Sequence, residues 1–172
     1  TQDSSSAASD VYKRQDDRCK KNSWFKLKKK PDILILEGWC VGARAEGSRS
    51  LNRPINVLEK NADKKKIWRS YVNNQLKSKY SKLFDQLDSL IYLKAKNFKL
   101  LKRWRLKQEK KLKMKSGTKK NSKIMNDKEV ETFMMTYQRI TQNMFKNAPK
   151  YSSAVIDLNE NHQIKKVKFK NA

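Results

Sequence analysis

The apolar and polar positions change period several times along the chain. Asp32-Ile33-Leu34-Ile35-Leu36-Glu37-Gly38 is a short unbroken apolar run closed by an acid and a glycine, the pattern of a strand buried on both faces. From about Lys64 to Leu87, the residues Ile67, Trp68, Tyr71, Val72, Leu76, Tyr80, Leu83, Phe84 and Leu87 recur at helical spacing. Leu90-Ile91-Tyr92-Leu93-Lys94-Ala95 reads as a second strand. Phe98, Leu101, Arg105, Gln108 and Leu112 then mark one face of a helix leading to a polar loop, Lys115 to Ser122. Asn126 with Glu129 three residues on has the form of a capping box. The helix behind it carries Val130, Phe133, Met134, Tyr137, Ile140, Thr141, Met144 and Phe145 at the right period, and Pro149 is expected to stop it. Ala154-Val155-Ile156-Asp157-Leu158 is a third strand, and Val167 with Phe169 alternates like a weak terminal one. Strands alternating with helices predict an α/β fold around a parallel sheet.

Charge is the next feature to change the picture. The 172 residues hold 42 Lys+Arg and 17 Asp+Glu, a formal charge of +25. Such a surface invites nucleic acid. Lysine, however, supplies 33 of the 42 and arginine nine, beside 14 asparagines. Lysine and asparagine are what an AT-rich genome writes on solvated positions, whereas base readout and stacking favour arginine and exposed aromatics. A lysine-rich nucleic-acid-binding module without catalysis is thus the alternative, not the main reading. Two cysteines, Cys19 and Cys40, build no disulfide framework and point to a reducing cytoplasm. They have no His partner nearby and read as inert. The single histidine, His162, reads as solvated in a polar turn and leaves little for a zinc site or a Ser-His-Asp triad. No run approaches the roughly 18 apolar residues of a membrane span. Residues 1–15 are rich in Ser and Ala, unlike the rest. Ser-Ala-Ala-Ser-Asp-Val-Tyr-Lys-Arg-Gln resembles translated adapter sequence at the ends of assembled reads. The native chain is therefore expected to enter near Asp16, as residues 16–172 of a domain whose beginning is missing.

Candidate chemistry sits at the end of the first apolar run, Glu37-Gly38-Trp39-Cys40-Val41-Gly42-Ala43-Arg44. In open α/β sheets ligands lie beyond the carboxyl ends of strands. An acid there can hold a metal-bound water, Gly38 lets a ligand approach the backbone, and Arg44 can meet an anion with its planar fork. Equally, Glu37 can simply close a strand and pair with a lysine. The glycines Gly42 and Gly47 have P-loop spacing, but Ser48-Arg49 follows where that motif needs Lys then Ser/Thr, and no GxxxxGK[ST] occurs in the chain. On the third helical pattern Arg105, Gln108 and Glu109 share a face. A guanidinium held there can clamp phosphates, or Arg105 and Glu109 can be an ordinary helix pair. From Lys94 to Lys123 there are 14 basic residues and one acid, Glu109. That stretch fits a phosphate-facing lid, a nucleic-acid face or a solvated helix. Trp68, Tyr71, Tyr137 and Phe145 sit at core spacing.

Several ordered blocks resemble the P-loop kinases related to D-glycerate 3-kinase, near phosphoribulokinase and uridine kinase. They are Asp16-Asp17-Arg18, the Glu37-to-Arg44 block, Pro54-Ile55-Asn56 with Leu58-Glu59, Trp68-to-Asn73, Trp104-Arg105-Leu106-Lys107-Gln108-Glu109, and the Met125-to-Met144 helix. The resemblance implies a partial three-layer kinase fold, with a parallel sheet lacking its first, P-loop strand and with a lid over about 98–126. In the family's sheet order, 2-3-1-4-5, that strand separates the Glu37 strand from the Leu90 strand, so a hole or an abnormal pairing is expected. The resemblance also implies ATP-dependent phosphorylation of a small hydroxy acid, D-glycerate first, with Mg2+. Glu37 would hold the metal through water, and Arg105 would act on the transferring phosphoryl group with Gln108 and Glu109. Asp17, Arg18, Trp39 and Arg44 would lie at the acceptor, with Arg44 on its carboxylate. Without its Walker A region the isolated chain is expected to be inactive.

Overall fold

The computed structural model describes residues 28–116 and 124–170. Strand β1 (Ile91–Lys94) pairs in parallel with β2 (Ala154–Leu158), Ile91 opposite Ala154, and β2 pairs antiparallel with β3 (Ile164–Phe169). The order is β1-β2-β3. Before the sheet come a 3-10 turn (Ser48–Asn52), a short helix α1 (Val57–Ala62), and α2 (Ile67–Gln75). The last runs on through a π-turn (Leu76–Tyr80) into a final turn, Ser81–Phe84. Helix α3 (Phe98–Ser116) follows β1, and α4 (Asp127–Tyr151) precedes β2.

The capping box of α4 forms as its sequence predicts. The Asn126 side chain accepts the Glu129 N–H, and the Glu129 carboxylate accepts the Asn126 N–H. Asp127 and Glu129 in the first turn also suit the helix dipole. Pro149 does not stop this helix, which continues to Tyr151. A proline's fixed φ is helical, and two residues from the end only one backbone bond is lost. Ser152 closes the helix instead, giving both its N–H and its hydroxyl to the Ala148 carbonyl.

Val130, Met134, Met144 and Ala148 of α4 are buried, together with Leu100, Ala95 and the start of β2. Ala43, Leu76, Met144 and Ala148 form a core cluster against which Cys40, Val72, Tyr92, Ile140 and Tyr151 pack.

Three expectations are corrected. Residues 33–38 belong to no strand, and Ile33, Leu34 and Ile35 are about four-fifths exposed. A strand exists only through its ladder, and among the described residues nothing pairs with this segment or with the outer edge of β1. Ile91 and Leu93 of β1 are correspondingly exposed. The sheet is also mixed, not wholly parallel: β2 and β3 are joined by the short turn 159–163, and a parallel crossover needs about a dozen residues or more. Finally, Trp68 and Tyr71 face solvent, while Arg69 and Asn73 of the same helix are buried.

Candidate active site

The block after the unpaired segment forms a tight turn. Cys40 and Gly42 both have positive φ, 70° and 76°, and the Ala43 N–H bonds the Cys40 carbonyl at 3.1 Å. A Cβ on Gly42 would lie 2.7 Å from Leu90 Cδ2, so the backbone passes directly over the entrance to β1. The turn lays the Trp39 indole on α4. Phe133, Tyr137 and Thr141, each four residues apart, present one stripe of that helix. Trp39 stacks on Tyr137 with centroids 5.1 Å apart, meets Phe133 edge-on at 6.5 Å, and donates its Nε1–H to Thr141 Oγ1 at 3.2 Å.

Arg105 reaches the far side of the same stripe from α3. Its guanidinium lies 5.5 Å from the Phe133 ring centroid. It pairs with Glu109 and donates to Gln108 Oε1 at 2.8 Å. Arg105, Gln108 and Glu109 are therefore brought together, and the helix pair considered from sequence is present. Arg105 is less exposed than its lysine neighbours Lys107 and Lys110. Glu109 is buried, and its second oxygen accepts the Met125 N–H just ahead of α4, tying the two helices. Among the described residues these contacts use two of a guanidinium's five N–H donors.

Arg44, at the end of the turn, also meets α4, its guanidinium 4.0 Å from the Tyr151 ring centroid and its carbonyl accepting Asn143 Nδ2–H at 2.8 Å. Burial pushes the Cys40 thiol up to about 12, only partly offset by a hydrogen bond with Thr141. It stays protonated near neutrality, as an inert cysteine would. Burial likewise raises the Tyr92 hydroxyl to about 12. Glu37 is exposed and makes no hydrogen bond or ion pair among the described residues. No three metal-ligating side chains converge among those residues. Asp17, Arg18 and Cys19 lie outside the described residues. His162, in the β2–β3 turn, is exposed but stacks on Trp104 at 4.1 Å, and Trp104 donates to the Glu160 carbonyl.

A second group of polar residues, not anticipated from sequence, anchors the chain downstream of Arg44. Arg139 of α4 grips Glu59 with both arms, Nε to Oε1 at 2.8 Å and Nη2 to Oε2 at 2.6 Å. It also bonds Glu46 and the carbonyls of Ser50 and Arg53. Glu59 in turn accepts the Ile55 N–H, and Asn56 caps α1 while donating to the Met135 carbonyl. The sequence signals were the Pro54-Ile55-Asn56 and Leu58-Glu59 block, quoted only for its resemblance, and a charged residue, Arg139, set among the apolar positions of α4.

The fold resembles that of known kinases. A D-glycerate 3-kinase from Cryptococcus neoformans var. grubii superposes with a TM-score of 0.61 at 22% identity, over 83% of this chain and 51% of that one. The YGR205w protein superposes at 0.53 and 26% identity, over 78% of this chain and 46% of that one. In sequence, 123 residues are 33% identical to an uncharacterized kinase, mug58, of Schizosaccharomyces pombe, covering 70% of this chain and 41% of that protein. The fold is that of part of a P-loop kinase. The chain spans about half the length of the proteins it matches. No family model matches the sequence. Among the described residues no helix is long and apolar enough to cross a membrane.

Proposed function

We propose that this chain is the C-terminal portion of an ATP-dependent kinase that phosphorylates a hydroxyl of a small hydroxy acid, D-glycerate being the first candidate. The observation that carries the proposal is the meeting of two separate sequence blocks on one stripe of α4: Trp39 stacks on Tyr137 and Phe133, and Arg105 lies over Phe133. The fold match to a D-glycerate 3-kinase supports the choice of substrate class.

Phosphoryl transfer asks the protein for positioning and for positive charge near the transferring group. Arg105 supplies that charge. Its rotamer is fixed by Glu109 and Gln108, and it stands beside an aromatic wall instead of free in water. Trp39 and Arg44, at the start and end of the turn, are assigned to the acceptor, Arg44 to its carboxylate, and the same assignment is proposed for Asp17 and Arg18. Mg2+ at nucleotide sites is held by one or two carboxylates together with phosphates. A single exposed acid, Glu37, with no protein partner among the described residues fits that role through water. Bound Mg-ATP would supply the phosphoryl group and spread its charge. The phosphate-cradling loop is not encoded in these 172 residues, so the isolated chain is expected to be inactive.

The test is a longer reading frame that includes a GxxxxGK[ST] segment, assayed with Mg-ATP against D-glycerate and other hydroxy acids. ATP-dependent phosphorylation lowered by about three orders of magnitude in Arg105→Ala, the loss typical of a charge-stabilising arginine, is expected. Absence of transfer to any hydroxy acid, or activity indifferent to Arg105→Ala, overturns the proposal. Turnover by the 172-residue chain above its own Arg105→Ala variant overturns the claim of inactivity.

A further inference from the structure

A more enclosed concavity lies on the opposite flank of α4 from the Trp39 stripe. It is a cavity of about 280 Å³ between α1, α2 and α4. Its apolar wall includes Leu58, Val72, Leu76, Met135 and Ile140, with Trp68 at the mouth. Of the charged groups along it, Glu46 and Glu59 pair with Arg139 and Asp63 with Arg69 at 2.9 Å, while Arg44 lies over the Tyr151 ring at its edge. Asn73 is committed to both main-chain groups of Glu46. Outside the mouth, a shallower groove sharing Trp68 and Val72 runs past Lys64, Lys65, Ile67 and Tyr71. Ile67, Trp68 and Tyr71 are 70%, 64% and 63% exposed, an apolar patch on consecutive turns of one helix. Surfaces of this kind mark interaction sites.

We propose that this cavity and groove dock an acidic peptide segment of a partner protein, with one large apolar side chain seated in the cavity. The inference goes beyond the kinase reading, with which it shares Arg44 at the cavity's edge. The cavity wall favours an apolar side chain over a nucleobase, whose polar edge would be buried there with its hydrogen bonds unmet. Charge sets the sign of the flanking residues. The three acids along the cavity, Glu46, Glu59 and Asp63, are paired with Arg139 and Arg69, so Lys64 and Lys65, which make no ion pair among the described residues, present positive charge at the rim. An aromatic anchor beside a basic rim is the arrangement in which tryptophan carries a large share of binding energy and charge selects the partner.

The test uses the 172-residue chain and a fluorescein-labelled peptide with a central Phe-Leu pair flanked by four glutamates on each side, followed by anisotropy. Saturable binding is expected, weakened at least about tenfold by Trp68→Ala, an exposed position where the fold is retained, as the loss of an interfacial anchor is read. Lys64→Glu with Lys65→Glu is expected to weaken it similarly, and Lys165→Glu with Lys166→Glu on β3 is expected to leave it in place. A peptide with Ala-Ala at its centre, or with lysines for the glutamates, is expected to bind at least about tenfold more weakly. Any of four results overturns the proposal. The acidic peptide shows no saturable binding. The β3 pair matters as much as the Lys64–Lys65 pair, which means diffuse charge attraction. A thymidine oligonucleotide binds more tightly and depends on Trp68, which assigns the groove to nucleic acid. Sedimentation shows a dimer that Trp68→Ala converts to monomer, which assigns it to a second copy.

Discussion

Replacing Arg139 by alanine tests whether the buried charge cluster holds the segment from Glu46 to Glu59 against α4. The guanidinium bonds two carboxylates and two main-chain carbonyls, and its side chain is 9% exposed, beside 12% for Glu59 and 21% for Glu46. Removing one partner of a buried pair costs about 3–5 kcal/mol, because the other charge is left without compensation. Each neutral hydrogen bond lost, here to Ser50 and Arg53, adds about 1 kcal/mol. The partial exposure of Glu46 lets water repay some of this, so we expect about 3–4 kcal/mol. For a domain of this size that lowers the melting temperature by roughly 10 °C. Urea denaturation followed by circular dichroism reads it directly. Arg139→Lys keeps the charge but loses the fork, and should fall between the two. The pH dependence supplies a second check. Burial pushes the Glu59 carboxyl up, but hydrogen bonds from Arg139 and the Ile55 N–H, with the nearby guanidinium charge, leave it below the ordinary range. A depressed folded-state value stabilises above the unfolded carboxylate pKa and loses that contribution as pH falls through the folded one. The gap between wild type and Arg139→Ala should therefore narrow in acid. A loss under about 1 kcal/mol, or an equal loss at neutral and strongly acidic pH, would refute the reasoning.

Other changes probe the same framework. Gly42→Ala places a Cβ 2.7 Å from Leu90 at a φ of 76°, and should cost about 1–2 kcal/mol by thermal denaturation; an unchanged melting temperature would mean that the turn relaxes freely. Asp63 is held below its ordinary pKa: burial raises it, but the Arg69 and Trp68 N–H groups and the Arg69 side chain outweigh that. Asp63→Asn should thus destabilise the chain at neutral pH and make little difference once wild-type Asp63 is itself protonated. In a Cys19→Ser background, Cys40 should react with a disulfide reagent near neutrality only at the rate of unfolding, since its thiol lies at about 12; rapid modification of the folded chain would contradict its burial.

Helices and their caps were legible because they rest on local contacts. The Asn126–Glu129 box, the face of α4 and the Arg105–Gln108–Glu109 grouping all follow from residues three or four apart. Strand β2 was legible too, as a short apolar run. The equally apolar run from Ile33 to Leu36 was not, because a strand depends on a neighbour that its own sequence does not contain. Helix α2 misled for a different reason. Its aromatic residues suggested a core face, yet Arg69 and Asn73 turn inward because the surrounding loops offer them the Leu51 carbonyl, Asp63 and the Glu46 backbone. Apolarity predicts burial only on average, whereas a polar side chain with every bond satisfied is buried at little cost. The candidate site divides along the same line. Residue type and position singled out Arg44 and Arg105, and the family resemblance added Trp39. That Trp39 and Arg105 meet across Phe133 and Tyr137, and that Arg139 pins the intervening segment, was decided by the packing of α3 and the Trp39 turn on α4. Contacts between residues far apart in the chain leave no period for a sequence to display.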